Sequence, residues 1–198
     1  MSARRVVVQG SDSDKVQRIL LAARAVFTEH GYSNASMDAV AQKALVSKAT
    51  LYLYFESKDA IYQAVVQQAI DKLGALTAEH VDRESSFAGK LAAFVSVRIA
   101  FWNEQQQLYR IILSIKRDGL NRKRSIGWQK EAVLYLQALF AEAAKAGEIP
   151  EQDFLAAAWT TMDALRGANE RRAFAEGRAS EDDTRFLTDF LLRALGAK

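Results

Sequence analysis

The sequence predicts an all-α fold, a head of three short helices followed by a larger helical domain, and three observations carry that prediction. Pro150 is the sole proline among 198 residues, so little interrupts helix formation. No alternating strand pattern of useful length follows the first ten residues, and alanine-rich stretches with apolar residues recurring at three and four positions fill most of the remainder. At 49% apolar and 26% charged residues, the chain is long enough for two compact units with a core. The change from short capped elements to long ones divides it into 1–58, with an N-terminal arm, and 59–198.

The arm carries Arg4 and Arg5, which can enter a minor groove, meet phosphate or simply solubilise a tail. The first helix runs from Asp14 to His30. Val16, Ile19, Leu20, Ala23, Val26 and Phe27 make one apolar stripe, Ser13 or Asp14 caps its start, and Gly31 stands where a left-handed terminator belongs.

The stretch Ser36–Lys58, SMDAVAQKALVSKATLYLYFESK, reads as two short helices joined by a tight turn. Ser36 caps a helix opening at Met37 and Ser47 caps one opening at Lys48. Met37, Val40, Ala41 and Ala44 line one side of the first, while Leu51 and Phe55 line one side of the second, with Val46 entering from the turn. At about 100° per residue, Ala49, Tyr52 and Leu53 then point away from this shared core, and Thr50 and Tyr54 share an edge. A solvated helix face ordinarily carries Glu, Lys and Gln. This one offers Ala, Tyr, Leu and Thr between Lys48 and Lys58, so something covers it. A major groove admits one helix, where Ala49 permits close approach, Tyr52 and Leu53 touch base edges or thymine methyls, and hydroxyls and lysines suit phosphate oxygens. The alternative is a helical protein–protein interaction module that uses the tyrosine-rich face.

From about Ile19 to Lys58 the pattern IL-x-AA-x-x-VF-x-E-x-GY-x-x-x-SM-x-x-VA-x-x-A-x-VSKATLY-x-YF-x-SK resembles the N-terminal signature of the tetracycline-repressor (TetR) family. Its specific parts are Phe27 before Glu29 and Gly31-Tyr32, Ala41 with Ala44, and Val46 through Tyr52 leading to Tyr54-Phe55 and Lys58. The resemblance implies that Lys48, Ala49 and Tyr52 face bases and that Thr50, Tyr54 and Lys58 hold the phosphate backbone, with Ser36 and Ser47 as capping hydroxyls beside it. At Leu53 the family often has a polar or aromatic residue. Position 45 is usually glycine in the family, as a helix end needing positive φ demands; here it is Leu45, so the turn strains or closes differently.

After Lys58 the helices lengthen. Ser57 caps one through Ile61, Val65, Ala69, Leu73 and Leu76, the mechanical link to the rest. Ser86 starts another, with Phe87, Leu91, Phe94, Val95, Arg98 and Trp102 on one face; a further helix spans Glu104 to Lys116, and one from about Arg122 to Ala146 closes at Gly147. Phe154, Leu155, Ala158, Trp159, Met162 and Leu165 stripe the next. Ser180 with its acidic followers opens the last, which carries Phe186, Phe190, Leu191 and Ala194. These two stripes either pack within the monomer or pair with a copy of themselves. The resemblance implies the latter, a four-helix homodimer interface through Phe154, Trp159, Phe186, Phe190, Leu191 and Ala194, matched to a palindromic operator.

Phe94, Arg98, Phe101, Trp102, Tyr109, Ile112, Leu113, Trp128, Trp159 and Met162 suffice either to fill a core or to line a small-molecule cavity. The resemblance implies a ligand cavity for a small-molecule effector. Arg98 falls on an apolar face and needs a partner if buried: Asp163, Glu104 or an acid on the ligand.

Catalysis is not expected. His30 and His80 lie fifty residues apart with no metal-ligand spacing, and neither a glycine-rich phosphate loop nor a nucleophile elbow is present. No cofactor is expected. With no cysteine, no signal-peptide run and no long apolar segment, the chain reads as cytoplasmic and not membrane-bound. A net charge of +3 is modest, so attraction to double-stranded DNA rests on local placement of Lys48 and Lys58. The expected function is a ligand-responsive repressor whose operator affinity falls when an apolar or amphipathic inducer favours the wrong separation of paired recognition helices.

Overall fold

The computed structural model describes residues 10–115, 119–174 and 181–198. The described residues form helices and no strand: α1 Gly10–Asn34, α2 Met37–Lys43, α3 Lys48–Tyr54, α4 Lys58–Val81, α5 Phe87–Glu104, α6 Gln106–Ile115, α7 Gly119–Lys145, α8 Phe154–Phe174 and α9 Glu181–Ala194. They belong to two compact units, Met1–Gln68 and Ala69–Lys198, with the division falling inside α4. Arg4, Arg5, Lys116 and Ser180 lie outside the described residues.

In the first unit α1 starts at Gly10, four residues ahead of the expected cap, with Asp12 supplying negative charge to its first turn. Gly31, at φ +72°, breaks the helix direction. Ile19, Leu20, Ala23, Val26 and Phe27 are buried, as are Val40, Ala41, Leu51, Ile61, Tyr62 and Val65. The rings of Phe27, Tyr32 and Tyr62 form a cluster with centroids 5.2 to 6.1 Å apart. Helices of seven residues, as α2 and α3 are, are not stable alone, because isolated helices shorter than about 12 residues are marginal in water. Each buried Leu or Phe contributes about 1.5–3 kcal/mol, so this shared core, with one cap apiece, holds them.

The turn between α2 and α3 closes on Leu45. Its N–H donates to the Gln42 carbonyl at 3.2 Å and the Val46 N–H reaches back to the Ala41 carbonyl at 3.0 Å. That bond pair is the Schellman ending, in which the residue after the cap adopts left-handed backbone. Leu45 accordingly sits at φ 55°, the one non-glycine residue with positive φ among those described. A Cβ in this region costs roughly 1–2 kcal/mol. The Leu45 side chain, 87% exposed, recovers none of it by packing. The turn therefore strains Leu45 and keeps the geometry that glycine would give.

The second unit packs α5 against α8 and α9, with α6 and α7 also on α8. Its core gathers Phe87, Leu91, Phe94 and Val95 of α5, Leu136 and Phe140 of α7, Ala158 and Leu165 of α8, and Leu191 of α9. Ser86 caps α5 by accepting from the Gly89 N–H at 3.1 Å, and the Glu148 carboxylate takes the Phe87 N–H at 2.8 Å. α7 ends at Gly147, φ +75°. Asp153 caps α8 through the Ala156 N–H at 3.0 Å. Among the described residues no helix is long and apolar enough to cross a membrane.

Leu45→Gly should stabilise the first unit by about 0.5–1 kcal/mol, the relief of backbone strain less the greater unfolded-state freedom of glycine. A urea midpoint that falls instead would show that the exposed leucine makes a contribution of its own.

Candidate nucleic-acid interface and internal cavity

The outward face of α3 is laid out by its own cap and core. Ser47 Oγ accepts from the Thr50 N–H at 3.0 Å and lies 2.8 Å from Thr50 Oγ1, fixing the first turn. Leu51 is fully buried and sets the helix's rotation. Lys48, Ala49, Tyr52 and Leu53 consequently face solvent, with Tyr52 45% and Leu53 81% exposed. Ser36 caps α2 through the Ala39 N–H at 3.1 Å. Both cap hydroxyls, and that of Thr50, are engaged in holding helix starts while remaining at the surface.

The charged and phenolic groups beside this face have internal partners. Lys48 Nζ lies 2.8 Å from Asp38 Oδ1 and donates to Oδ2 at 3.1 Å, and this bond to Asp38 holds the ammonium's pKa above its ordinary value. The Tyr54 hydroxyl donates to Asp12 at 2.7 Å, which raises its pKa and ties the end of α3 to the start of α1. Lys58 is the most committed. Its ammonium donates to the carbonyls of Tyr32, Ser33 and Ala35 at 2.8, 3.1 and 2.9 Å and lies 4.7 Å from the Tyr32 ring centroid. All three of its donors serve carbonyls at and just beyond the end of α1, which leaves none for the phosphate contact expected from the sequence.

Within the second unit, α4 to α8 enclose a cavity of about 270 Å³. α4 contributes Ile70, Leu73, Gly74, Thr77 and Ala78; α5 contributes Arg98 and Trp102; α6 contributes Tyr109 and Ile112. Trp128, Gln129, Glu131, Ala132 and Tyr135 come from α7, and Met162, Leu165, Arg166 and Asn169 from α8. Of the residues proposed from sequence, Arg98, Trp102, Tyr109, Ile112, Trp128 and Met162 line it. Four do not. Phe94 and Phe101 are core residues, Phe94 lying beneath the Arg98 guanidinium at 4.4 Å. Trp159 is half-buried against the core, and Asp163 is exposed and bonded to Arg166 at 2.8 Å.

The polar groups of the cavity differ in how they are satisfied. Arg166 faces Asp163 and, at 3.8 Å, Glu170. The Tyr109 hydroxyl donates to the Arg166 carbonyl at 3.4 Å. Arg98 has no carboxylate partner among the described residues. Its Nε is sealed from solvent without a hydrogen bond, as is Asn169 Oδ1, and burial lowers the guanidinium's pKa to about 10. Thr77, Tyr135 and Asn169 escaped the sequence reading, yet periodicity marks them: Tyr135 follows Trp128 by seven residues, and Asn169 follows Met162 by seven, the same face in each helix.

On the residues proposed for subunit pairing, Phe186 and Phe190 are 67% and 51% exposed, with ring centroids 6.4 Å apart. Ala194 is exposed, and Phe154 and Trp159 are half-buried against the core. Leu191 is buried within the unit's own core and unavailable at the surface, because it follows Phe186 and Phe190 on the opposite side of α9. Leu155 and Phe174 join the exposed apolar set.

Comparison with known proteins agrees with this architecture. Residues 19–65 match the family described as bacterial regulatory proteins, tetR family. The chain is 36% identical over 95 residues to the HTH-type transcriptional activator FasR of Mycolicibacterium smegmatis, covering 48% of this chain and 43% of that protein. It is 47% identical over 51 residues to the HTH-type transcriptional regulator UidR of Escherichia coli, covering 26% of each. These matches thus span less than half the length of either relative. The fold extends much further. The fatty acid degradation regulator FadR from Bacillus halodurans superposes with a TM-score of 0.81 at 20% identity, covering 93% of this chain and 97% of that one.

Lys58→Met, which keeps the stem and removes the donors, should destabilise the first unit by on the order of 1–3 kcal/mol, toward the lower figure because water reaches the Ser33 carbonyl. An unchanged denaturation midpoint would mark those three bonds as dispensable.

Proposed function

We propose that this chain, which belongs to the tetR family of bacterial regulatory proteins, works in the cytoplasm as a ligand-responsive, non-enzymatic transcriptional regulator. In this reading it is a repressor that binds a palindromic operator as a homodimer and is released by a small apolar or amphipathic inducer. The observation that carries it is the outward face of α3, where an exposed lysine, alanine, tyrosine and leucine stand on a capped and anchored helix. A major groove about 12 Å wide accepts such a helix. Lys48, Ala49, Tyr52 and Leu53 are assigned to base edges, and Thr50 and Tyr54 to the backbone with the cap hydroxyls of Ser36 and Ser47 beside it. Lys58 acts there by charge, its hydrogen bonds being used inside the protein.

Pairing of two chains is supported by the exposed rings of Phe174, Phe186 and Phe190, since apolar surface of this kind marks an interaction site. A two-fold dimer places its recognition helices in half-sites about 34 Å apart. The cavity supplies the regulatory input. α4 contributes both Lys58 and part of the cavity wall, and a ligand that prefers one setting of this helix lowers operator affinity through a coupling of about 1–3 kcal/mol, roughly 5- to 150-fold.

Selection of bound fragments from random duplexes should return an inverted repeat with that spacing. Tyr52→Ala should alter which bases are preferred, whereas Lys58→Ala, which removes a charge acting on the backbone, should weaken every sequence and flatten the dependence on salt. No enriched duplex, together with salt-insensitive capture of a protein, would favour the interaction-module reading instead.

The double substitution Phe186→Asp with Phe190→Asp should yield a folded monomer in sedimentation and strip away operator affinity. A dimer that survives it would place the subunit contact elsewhere.

A further inference from the structure

We infer that the cavity of the second unit takes an apolar monocarboxylate of about ten heavy atoms, with its carboxylate on Arg98. The inference rests on reading this cavity as the effector site and names the ligand's chemistry. Its walls are largely apolar: Ile70, Leu73, Ile112, Met162 and Leu165, with the rings of Trp102 and Trp128. A volume of about 270 Å³ corresponds to roughly nine molecules at ~30 Å³ each, the share of one water in the liquid. That is room for an acid of about eight carbons.

Arg98 decides the charge. An aromatic-lined cavity alone would suit an organic cation as well, but a guanidinium in the wall repels one. Buried cations are ordinarily paired, and the neighbouring Arg166 is, with Asp163 and Glu170. Arg98 has only the Phe94 ring at 4.4 Å beneath it and an Nε without a hydrogen bond. The planar fork of a guanidinium matches a carboxylate through two parallel N–H···O bonds. The other unpaired atom at the cavity, Asn169 Oδ1, is an acceptor, so it suits an N–H or O–H donor and leaves the carboxylate to Arg98 alone. One anionic group is the limit, because the other guanidinium at the cavity, Arg166, is already held by Asp163 and Glu170. A dianion such as a phosphate would meet one free guanidinium.

The test uses the full chain titrated with octanoate, octanamide, octylamine and inorganic phosphate, followed by calorimetry and by the fluorescence of Trp102 and Trp128. Octanoate should bind about tenfold or more tightly than octanamide, a difference of about 1.4 kcal/mol, and octylamine should not compete. Arg98→Met should remove that preference while leaving octanamide binding in place. Arg98→Lys, which keeps the charge and loses the fork, should fall between, and it serves as the folded reference if the methionine variant does not fold. Equal affinity for acid and amide, tighter binding of octylamine or phosphate, or octanoate binding indifferent to both variants would overturn the assignment. Operator affinity measured alongside separates this inference from the functional reading beneath it. Octanoate held through Arg98 with operator binding unchanged supports the ligand and removes the coupling; intact operator binding with no octanoate bound overturns the ligand alone.

Discussion

The ammonium of Lys58 is the constraint from which the head of the molecule is built. One cation at the first turn of α4 takes three carbonyls at the end of α1, beside the ring of Tyr32 that completes the aromatic cluster with Phe27 and Tyr62. Those carbonyls would otherwise be orphans of a helix terminus. Because the same lysine begins α4, the chain's entry into and exit from the helix pair α2 and α3 are held at one point. The short helices then need only their caps and the burial of Val40, Ala41 and Leu51 to be fixed.

Against that rigid base, the second unit has a different construction. Its helices share a core through α5, α7 and α8, yet the five that surround the cavity leave it lined by small or polar residues at places where a packed interior would have apolar bulk: Gly74, Ala78, Arg98 and Asn169. Interiors pack to near-crystalline density, and this opening, with a guanidinium in its wall whose Nε has no hydrogen bond, departs from that rule.

Much of this was legible in the residues, and the limits have physical causes. Ser36, Ser47, Ser57 and Ser86 mark helix starts, and each accepts the N–H three residues on. The outward set on α3 followed from Leu51 and Phe55, one turn apart, since an anchored side fixes a helix's rotation. The start of α1 at Gly10 did not follow, because neither glycine nor serine there signals a helix interior. Periodicity separated buried from exposed stripes but could not say which buried aromatic faces a neighbour and which faces empty space: Phe94 and Trp102 share a stripe on α5, and only Trp102 meets the cavity. Leu191 was misjudged for a related reason, as α9 has apolar residues on two sides and the inner one is claimed by the core. The partners of Lys48 and Lys58 depend on residues distant in the chain, which spacing does not reveal.

The pairing of Lys48 with Asp38 bears on how the protein would tell one duplex from another. A duplex seeking that ammonium must first displace a carboxylate already holding it by both oxygens. If α3 enters a groove as proposed, that exchange costs little, since an exposed ion pair is worth about 0–1 kcal/mol, and the discrimination between sequences falls to the neighbouring tyrosine.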